Sequence, residues 1–235
     1  MLAVGNPDLA ENVAVYVPGT TAQLDSIGGD IDRVANLYRR SEKYGSGSVA
    51  TIMWLGYDAP DTIIKDASMD KYAERGAPDL LSFLNGLEVD QDKHVTALGH
   101  SYGSVVIGEG ANQGDLRADE IIAVGSPGMH VGQAKDLDVG EDHVWIQKAE
   151  GDPVPALGRF VHGSSAGVGI PTLPLVPSDD GFGGTILSTD THGHSDYWKA
   201  ESVSLDNQAK VIMGGHETRE VGDDPELAPR PMLYR

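Results

Sequence analysis

The sequence predicts an α/β fold, with a mainly parallel sheet covered by helices on both faces. Three observations lead to this prediction. Short apolar runs rich in β-branched residues alternate along the chain with segments of helical period. Each apolar run ends in a turn rich in Gly, Pro or Asp, where a strand would lead into a crossover helix. The 235 residues suit one such domain with a sizeable core, so we expect a single domain over residues 1–235.

The first half of the chain alternates three predicted strands with helices. Apolar β-branched runs place the strands at residues 12–17, 48–55 and 94–98. Apolar residues at helical spacing predict helices over residues 28–41 and 70–86, the second broken at the Gly-Ala-Pro run 76–78. A third helix is expected after the last of these strands, from about residue 105.

The second half begins with two further strands and then changes character. The predicted strands are residues 119–124, 143–149 and, later, 184–189, and a helix is expected over residues 196–213. Residues 155–184 are rich in Gly, Pro and Ser and have no steady period, which predicts a lid or pocket wall, with a disordered segment as the alternative. The polar residues 215–235 are expected to form a loosely held tail.

A possible nucleophile lies between the third predicted strand and the helix that follows it. The run Gly99-His100-Ser101-Tyr102-Gly103 contains the pattern Gly-x-Ser-x-Gly with Ser101 at its centre. Strand, sharp turn and helix are the context in which this pattern forms a nucleophile elbow. The flanking glycines leave room for a strained turn, because side chains there would crowd the neighbouring strand and helix. The alternative is a glycine-rich turn with an idle serine.

A serine nucleophile needs a base, and the base needs an acidic group that orients it. In an α/β-hydrolase arrangement the chain order is serine, acid, histidine. Asp152 follows a predicted strand end and precedes Pro153, so it is expected on a turn at the same edge of the sheet as Ser101. Glu150 and Asp142 are the weaker acid candidates, and an ordinary turn aspartate is the alternative role for Asp152.

The base must be chosen from eight histidines. His192 and His194 fall after the last predicted strand and before a predicted helix, where a triad histidine belongs. His194 is preferred because Gly193 gives its loop freedom and a helix follows at once. The remaining candidates lie before the acid, at the wrong end of a strand, in the irregular stretch or in the tail, and His100 is expected to point away from Ser101; they are His94, His100, His130, His143, His162 and His216.

An oxyanion formed at Ser101 would need two backbone N–H donors. One is expected from Tyr102, the residue after the nucleophile. The other is expected from Gly19 or Thr20 in the turn after the first strand, where glycine lets the backbone approach a substrate closely.

A second pattern, His192-x-His194-x-Asp196, is similar to the start of a zinc-binding run. Its closing histidine is replaced by Tyr197, and neither a cysteine nor a later histidine cluster completes the set. Zinc sites take three or four protein ligands. The sequence therefore predicts no metal and no cofactor.

Charge and composition limit the classes of partner that the protein is expected to bind. The formal net charge of −19 argues against nucleic acid, whose phosphates need basic patches, and against an anionic membrane surface. No apolar run approaches the length of a membrane span, and no signal peptide is recognised, so a cytoplasmic protein or a domain of a longer chain is expected. With no cysteine there is no disulfide, and the oligomeric state stays open.

Together these segments resemble an actinobacterial α/β-hydrolase domain family that was once catalogued as a domain of unknown function. The matching pieces, in the family's order between residues 12 and 213, are Val15-Tyr16-Val17-Pro18-Gly19-Thr20, Trp54-Leu55-Gly56-Tyr57-Asp58-Ala59-Pro60, Gly99-His100-Ser101-Tyr102-Gly103-Ser104, Val124-Gly125-Ser126-Pro127-Gly128, Gly151-Asp152-Pro153-Val154 and Gly193-His194-Ser195-Asp196-Tyr197-Trp198. The resemblance implies an α/β-hydrolase fold and a Ser-Asp-His triad at Ser101, Asp152 and His194. Two of the motifs also resemble, more distantly, those of secreted fungal-type triacylglycerol lipases.

The expected function is hydrolysis of a carboxylic ester, with a small-molecule or lipid-like substrate. Two alternatives remain: an acyltransferase or amidase that uses the same triad, and an inactive hydrolase fold that serves as a binding domain. Residues 155–184 are expected to gate the acyl pocket, because both ends of this stretch must return to the edge of the sheet that carries Ser101.

Overall fold

The computed structural model describes residues 1–20, 27–45, 47–60, 70–87, 93–164 and 174–216. Within them a central sheet has seven strands, β1 (Leu2–Val4), β2 (Asn12–Val17), β3 (Val49–Met53), β4 (His94–His100), β5 (Glu120–Val124), β6 (Val144–Gln147) and β7 (Thr185–Ile186). Their order across the sheet is β1-β3-β2-β4-β5-β6-β7. Only β1 is antiparallel to its neighbour, so the predicted mainly parallel sheet is confirmed.

Helices cover both faces of this sheet, as predicted. They are α1 (Gly28–Ser41), α2 (Asp70–Leu87), α3 (Tyr102–Gln113), α4 (Val154–His162) and α5 (Val203–Ile212), with single 3₁₀ turns at Ala134–Asp136, Glu141–His143 and Asp196–Trp198. Alternate residues of β2 show the two sides: Val13 and Val15 pack with α2 and α3, whereas Ala14 and Tyr16 pack with α1 and α5. No helix of the described residues is both long and apolar enough to cross a bilayer.

The parallel register brings the strand ends together at one edge. Val17 at the end of β2 pairs with Gly99 of β4, and His100 pairs with Val124 at the end of β5. Val124 in turn pairs with Gln147 at the end of β6. The turns that follow β2, β4, β5 and β6 therefore gather at the carboxyl edge, where open α/β sheets bind ligands.

Helix α2 runs without a break through Pro78, so the predicted interruption at residues 76–78 is wrong. A proline has no N–H and leaves the carbonyl four residues earlier, here that of Glu74, without its helical donor. The side-chain amide of Gln113 donates to the Glu74 carbonyl oxygen at 3.2 Å instead. Because this donor comes from α3, it was invisible in the local sequence.

The irregular character predicted for the whole of residues 155–184 is also wrong. Helix α4 occupies Val154–His162, and the composition misled because Pro155 lies in the first turn, where proline is tolerated. Gly158 is needed for packing, since a Cβ there would lie 2.1 Å from Pro127 Cβ. Residues 165–173 lie outside the described residues. After residue 173 the chain contacts the domain again: Asp179 accepts a hydrogen bond from Arg159 of α4, and Phe182 is buried.

Smaller differences concern the ends of the chain. The short edge strand β1 was not predicted, because three residues carry no recognisable period. The predicted strand 184–189 is reduced to β7, and the predicted helix 196–213 is split between a 3₁₀ turn and α5. Most of the predicted tail, from residue 217 onward, lies outside the described residues.

Candidate active site

Ser101 occupies a strained turn between β4 and α3. Its backbone has φ 53° and ψ −127°, a conformation that non-glycine residues rarely adopt. The two glycines of the pattern are sterically required, because a Cβ on Gly99 would lie 2.5 Å from Ser104 Cα and one on Gly103 only 2.0 Å from the Val17 carbonyl oxygen. The predicted strand–turn–helix context of the elbow is therefore present.

Asp152 and His194 lie in contact at the same edge. His194 Nδ1 is 3.0 Å from Oδ1 and 2.9 Å from Oδ2 of Asp152, which is buried. The carboxylate also accepts hydrogen bonds from the Tyr197 hydroxyl at 2.6 Å and from the Val154 amide at 2.9 Å. Burial alone would raise the pKa of Asp152, but these hydrogen bonds outweigh it and hold the pKa below its usual range. The acid is therefore ionised at neutral pH.

Gly125, in the turn after β5, packs directly against this pair. It has φ 56°, and a Cβ there would lie 2.7 Å from Asp152 Oδ2 and 3.0 Å from His194 Nδ1. The Ser101 amide donates to the carbonyl oxygen of Val124, the residue before Gly125, at 2.9 Å. The turns that carry the serine and the Asp–His pair are thus joined through the end of β5.

Ser101 Oγ and His194 Nε2, both at this edge, are buried without a hydrogen-bond partner among the described residues. Buried polar atoms are nearly always paired, so an unpaired hydroxyl and an unpaired imidazole nitrogen at one edge indicate a functional role. Because Nδ1 of the same ring faces Asp152, its proton is assigned to Nδ1, which leaves a lone pair on Nε2.

The turn after β2 lies against the serine. A Cβ on Gly19 would lie 2.6 Å from Ser101 Cβ and 3.2 Å from Ser101 Oγ, so only glycine lets the backbone approach this closely. The Tyr57 hydroxyl donates to the Pro18 carbonyl at 2.6 Å and fixes the turn. Thr20 follows in the same turn and is half-buried. Tyr102, as the first residue of α3, directs its amide from the helix N-terminus.

His100 contacts the candidate base, a contact that the sequence reasoning missed. Its Nε2 lies 2.9 Å from the His194 carbonyl oxygen, and its Nδ1 lies 3.4 Å from Arg33 Nη1. Burial, the Arg33 charge and His194 lower the pKa of His100 well below its usual range, so the ring is neutral. A neutral His100 ring with its proton on Nε2 donates to the His194 carbonyl oxygen and accepts from Arg33. Arg33 in turn pairs with Asp30 at 2.7 Å, and its guanidinium lies 4.8 Å from the Trp198 ring centroid.

The competing candidates lie apart from this arrangement. Glu150 and His192 are exposed, with Glu150 Oε2 3.5 Å from His192 Nδ1. Asp142 lies in the 3₁₀ turn before β6, at the opposite edge of the sheet. The structure thus brings Asp152 and His194 together and leaves the other acids away from them. Tyr197 lies three positions after His194, and nothing in that position along the chain predicts its hydrogen bond to Asp152.

A family model described as alpha/beta hydrolase matches residues 1–161. The chain belongs to the alpha/beta hydrolase family. This agrees with the predicted resemblance, since relatives of this alpha/beta hydrolase come from mycobacteria. The uncharacterized protein Rv2079 of Mycobacterium tuberculosis is 29% identical over 258 residues, which cover 97% of this chain and 39% of the relative. Rv0963c of the same organism is 36% identical over 174 residues, 68% of this chain and 65% of the relative. The chain therefore spans about two-fifths of the length of the first of these relatives.

Solved structures share the fold of this alpha/beta hydrolase. Esterase PE8 aligns with a TM-score of 0.56 at 14% identity and covers 91% of this chain and 97% of its own. A Trichoderma reesei cutinase in complex with a phosphonate inhibitor aligns with a TM-score of 0.51 at 14% identity, over 89% of this chain and 78% of the cutinase. The predicted α/β-hydrolase fold is thereby confirmed.

Proposed function

We propose that this chain is a serine hydrolase of carboxylic esters, with Ser101 as the nucleophile, His194 as the base and Asp152 as the group that orients the base. One observation carries the proposal. The imidazole that contacts Asp152 through Nδ1 has a buried Nε2 at the same edge of the sheet as the buried Oγ of the strained serine, and neither atom has a hydrogen-bond partner within the described part of the chain. Membership of a hydrolase family and a fold shared with an esterase and a cutinase support it.

The reaction begins when Ser101 Oγ attacks the ester carbonyl carbon and His194 Nε2 takes the hydroxyl proton. Negative charge that forms on the carbonyl oxygen is stabilised by the amide of Tyr102 and by that of Gly19 or Thr20. The tetrahedral intermediate collapses, the C–O bond to the alcohol breaks, and the imidazolium returns the proton to the departing alkoxide. A water molecule then attacks the acyl-serine by the same route and releases the acid. No step calls for a cofactor.

Helix α4 supports a lipid-like acyl group. It begins two residues after Asp152 and exposes two large apolar side chains, Leu157 at 49% and Phe160 at 72%, while Val154 is buried. Gly158 packs on Pro127 in the turn after β5, so the helix lies across the carboxyl edge. Exposed apolar side chains beside a site commonly contact an apolar ligand or surface. We therefore propose that α4, in residues 155–184, forms a wall of the acyl pocket.

The nucleophile is tested with a fluorophosphonate label and with p-nitrophenyl butyrate. The wild-type chain should be labelled, and Ser101→Ala should lose both the label and on the order of 10⁶ in kcat. Labelling that persists in folded Ser101→Ala would transfer the role to another serine. A folded wild-type chain that neither reacts nor turns over would favour the inactive binding domain.

The base is tested with two histidines separated by one residue. His194→Ala should abolish turnover, whereas His192→Ala should retain most of it, because the His192 side chain is exposed and lies beside Glu150. The reverse result would contradict the assignment. Hydrolysis of p-nitroanilides and acyl transfer to added alcohols, measured in parallel, separate the esterase from the amidase and acyltransferase alternatives.

The lipid-like substrate is tested on α4. Phe160→Ser should lower kcat/KM for octanoate esters relative to acetate esters and leave acetate hydrolysis intact, since the triad is untouched. Leu9→Ser is the matched control, because Leu9 is 77% exposed in the turn before β2. An unchanged chain-length preference in Phe160→Ser would leave the esterase proposal standing and remove α4 from the pocket.

A further inference from the structure

Three potential metal ligands converge outside the candidate active site, where α2, α4 and the loop after β5 meet. They are Asp70 at the first residue of α2, His130 in the loop and His162 at the last residue of α4. Their ligand atoms all lie within 4.8 Å of one another. None belongs to the zinc-like pattern at residues 192–196 that the sequence analysis weighed.

His162 is the residue that most clearly indicates a missing ligand. Its side chain is 0% exposed, yet neither ring nitrogen has a hydrogen-bond partner among the described residues. Nδ1 lies 3.4 Å from Asp70 Oδ1, in an orientation that makes no hydrogen bond. A buried imidazole is costly unless its polar atoms are satisfied. A buried ring nitrogen at this distance from a carboxylate oxygen, with no hydrogen bond between them, can share a cation with that oxygen.

His130 has the contacts of a metal-binding imidazole with an outer carboxylate. Its Nδ1 lies 2.9 Å from Glu109 Oε2, and its Nε2 lies 3.1 Å from Asp70 Oδ1. A neutral imidazole carries one N–H, so donation from Nδ1 to Glu109 turns the Nε2 lone pair toward Asp70. Lone pairs of nitrogen and oxygen repel each other unless a cation lies between them. In protein zinc sites, a histidine that binds the metal through one ring nitrogen usually donates its other N–H to a carboxylate, as His130 would to Glu109.

A protonated His130 would satisfy both carboxylates without an ion. It would still leave both nitrogens of the buried His162 unpaired among the described residues, so it accounts for only part of the cluster. An ion bound by all three side chains satisfies Asp70 Oδ1, the Nε2 of His130 and the Nδ1 of His162 at once, and leaves one His162 nitrogen, Nε2, without a partner among the described residues instead of two. His130 also holds φ 56°, a strained conformation that is common at functional positions.

We propose that Asp70 Oδ1, His130 Nε2 and His162 Nδ1 bind one divalent zinc-class ion, with a fourth position open to water. Two atoms that each lie 2.0–2.1 Å from a tetrahedral zinc are separated by about 3.3 Å. The separations of Asp70 Oδ1 from the two imidazole nitrogens, 3.1 and 3.4 Å, match this spacing. Two imidazoles among three ligands suit zinc, whereas Mg²⁺ and Ca²⁺ prefer oxygen ligands.

The ion would act as a structural link. It joins the start of α2, the end of α4 and the loop after β5, which are far apart in the sequence. The His162 ring also lies 5.3 Å from the ring of Tyr102, the residue that follows the candidate nucleophile. A metal at this point would fix α4 against the first turn of α3, and it takes no part in the ester chemistry.

The test is calorimetric titration of ZnCl₂ into chelator-treated, dialysed protein, with visible absorption of the Co²⁺ form as a second readout. Wild type should bind one Zn²⁺ and show the intense d–d bands of four-coordinate Co²⁺, and its Tm should rise with bound metal. Asp70→Asn preserves size at a half-exposed position, and His130→Asn suits the left-handed backbone there. Both should lose the site. Glu109→Gln keeps all three ligands and should weaken binding by about 10- to 100-fold.

The matched control lies in a second histidine cluster at the opposite edge of the sheet, formed by Glu120, His143 and His216. His216→Asn should leave zinc affinity and the Co²⁺ spectrum unchanged. Wild-type affinity in folded Asp70→Asn, loss of binding in His216→Asn instead, or no stoichiometric binding by wild type would each overturn the proposal. All these readouts are independent of esterase activity, so they stand whatever becomes of the proposed triad.

Discussion

Removal of the Tyr197 hydroxyl is the sharpest test of how the candidate acid is held. Tyr197→Phe deletes the hydrogen bond to Asp152 Oδ2, 2.6 Å long and fully inside the protein. The Tyr197 hydroxyl oxygen also accepts from the Ala149 amide at 2.9 Å, so that buried N–H loses its partner as well. A hydrogen bond to a charged group contributes about 1.5–3 kcal/mol, and an orphaned buried donor costs about 1–3 kcal/mol. Together they predict a loss of about 2.5–6 kcal/mol in the free energy of unfolding.

The loss should depend on pH in a defined direction. Hydrogen bonds hold the pKa of Asp152 below its unfolded value of 3.8, so its ionised form stabilises the fold above that pH. This stabilisation disappears as the pH falls through the folded-state pKa. Tyr197→Phe removes one of the bonds that lower the pKa. The difference between wild type and variant should therefore be full at neutral pH and shrink below about pH 4.

Thermal and urea unfolding across this pH range measure both effects. For a chain of this size the expected loss corresponds to a fall in Tm of about 5–25 °C. Tyr38→Phe is the control, because the Tyr38 hydroxyl also donates to a carboxylate, that of Glu42 at 2.8 Å, but on the exposed surface of α1. It should have little effect. A Tm for Tyr197→Phe that cannot be distinguished from that of Tyr38→Phe would refute the argument that this buried bond positions the acid.

Two further perturbations address the turn at Ser101 and the edge of the sheet at the amino ends of the parallel strands. Gly103→Ala should destabilise the fold severely and abolish fluorophosphonate labelling, because its Cβ would lie 2.0 Å from the Val17 carbonyl oxygen. Gly86→Ala in α2 should do neither, because a Cβ there meets no atom of the described residues within 4 Å; Tm and labelling measure both effects. Chiefly the Glu120 carboxylate raises the pKa of His94 above 6.5, so the stability that their contact contributes should be complete below that pH and be lost as the pH rises through the folded pKa. Urea unfolding of wild type and Glu120→Gln from about pH 6 to pH 9 checks this, and identical slopes against pH would contradict it.

The sequence was sufficient for the features that depend on local chemistry. Apolar β-branched runs predicted β2 to β6, because a strand that is buried on both faces is a nearly continuous run of apolar residues. The glycine spacing around Ser101 predicted the sharp turn. Chain order and the rule that parallel strands end at one edge then selected Asp152 and His194, which the structure brings into contact.

What the sequence missed depends on partners that are distant along the chain. Pro78 sits inside a helix because Gln113 of another helix supplies the missing donor. Gly158 lies within α4 because Pro127 leaves no room for a side chain. Tyr197 reaches an acid 45 positions earlier, and His100 reaches the carbonyl of a histidine 94 positions later. No local period encodes such contacts, so composition alone misclassified the first two and gave the last two no role.

The close packing around Gly103 has a consequence for the order in which the chain folds. Its closest neighbour, the Val17 carbonyl oxygen, belongs to β2, which is more than eighty positions upstream of the turn that it shapes. The positive φ at Ser101 is costly in isolation, and a fragment holding only β4 and α3 would lack the packing against β2 that surrounds the turn. The packing of this turn is therefore complete only when β2 lies beside β4. If Ser101 is the proposed nucleophile, its covalent labelling during refolding should report assembly of the centre of the sheet, and we expect no labelling before β2 and β4 have paired.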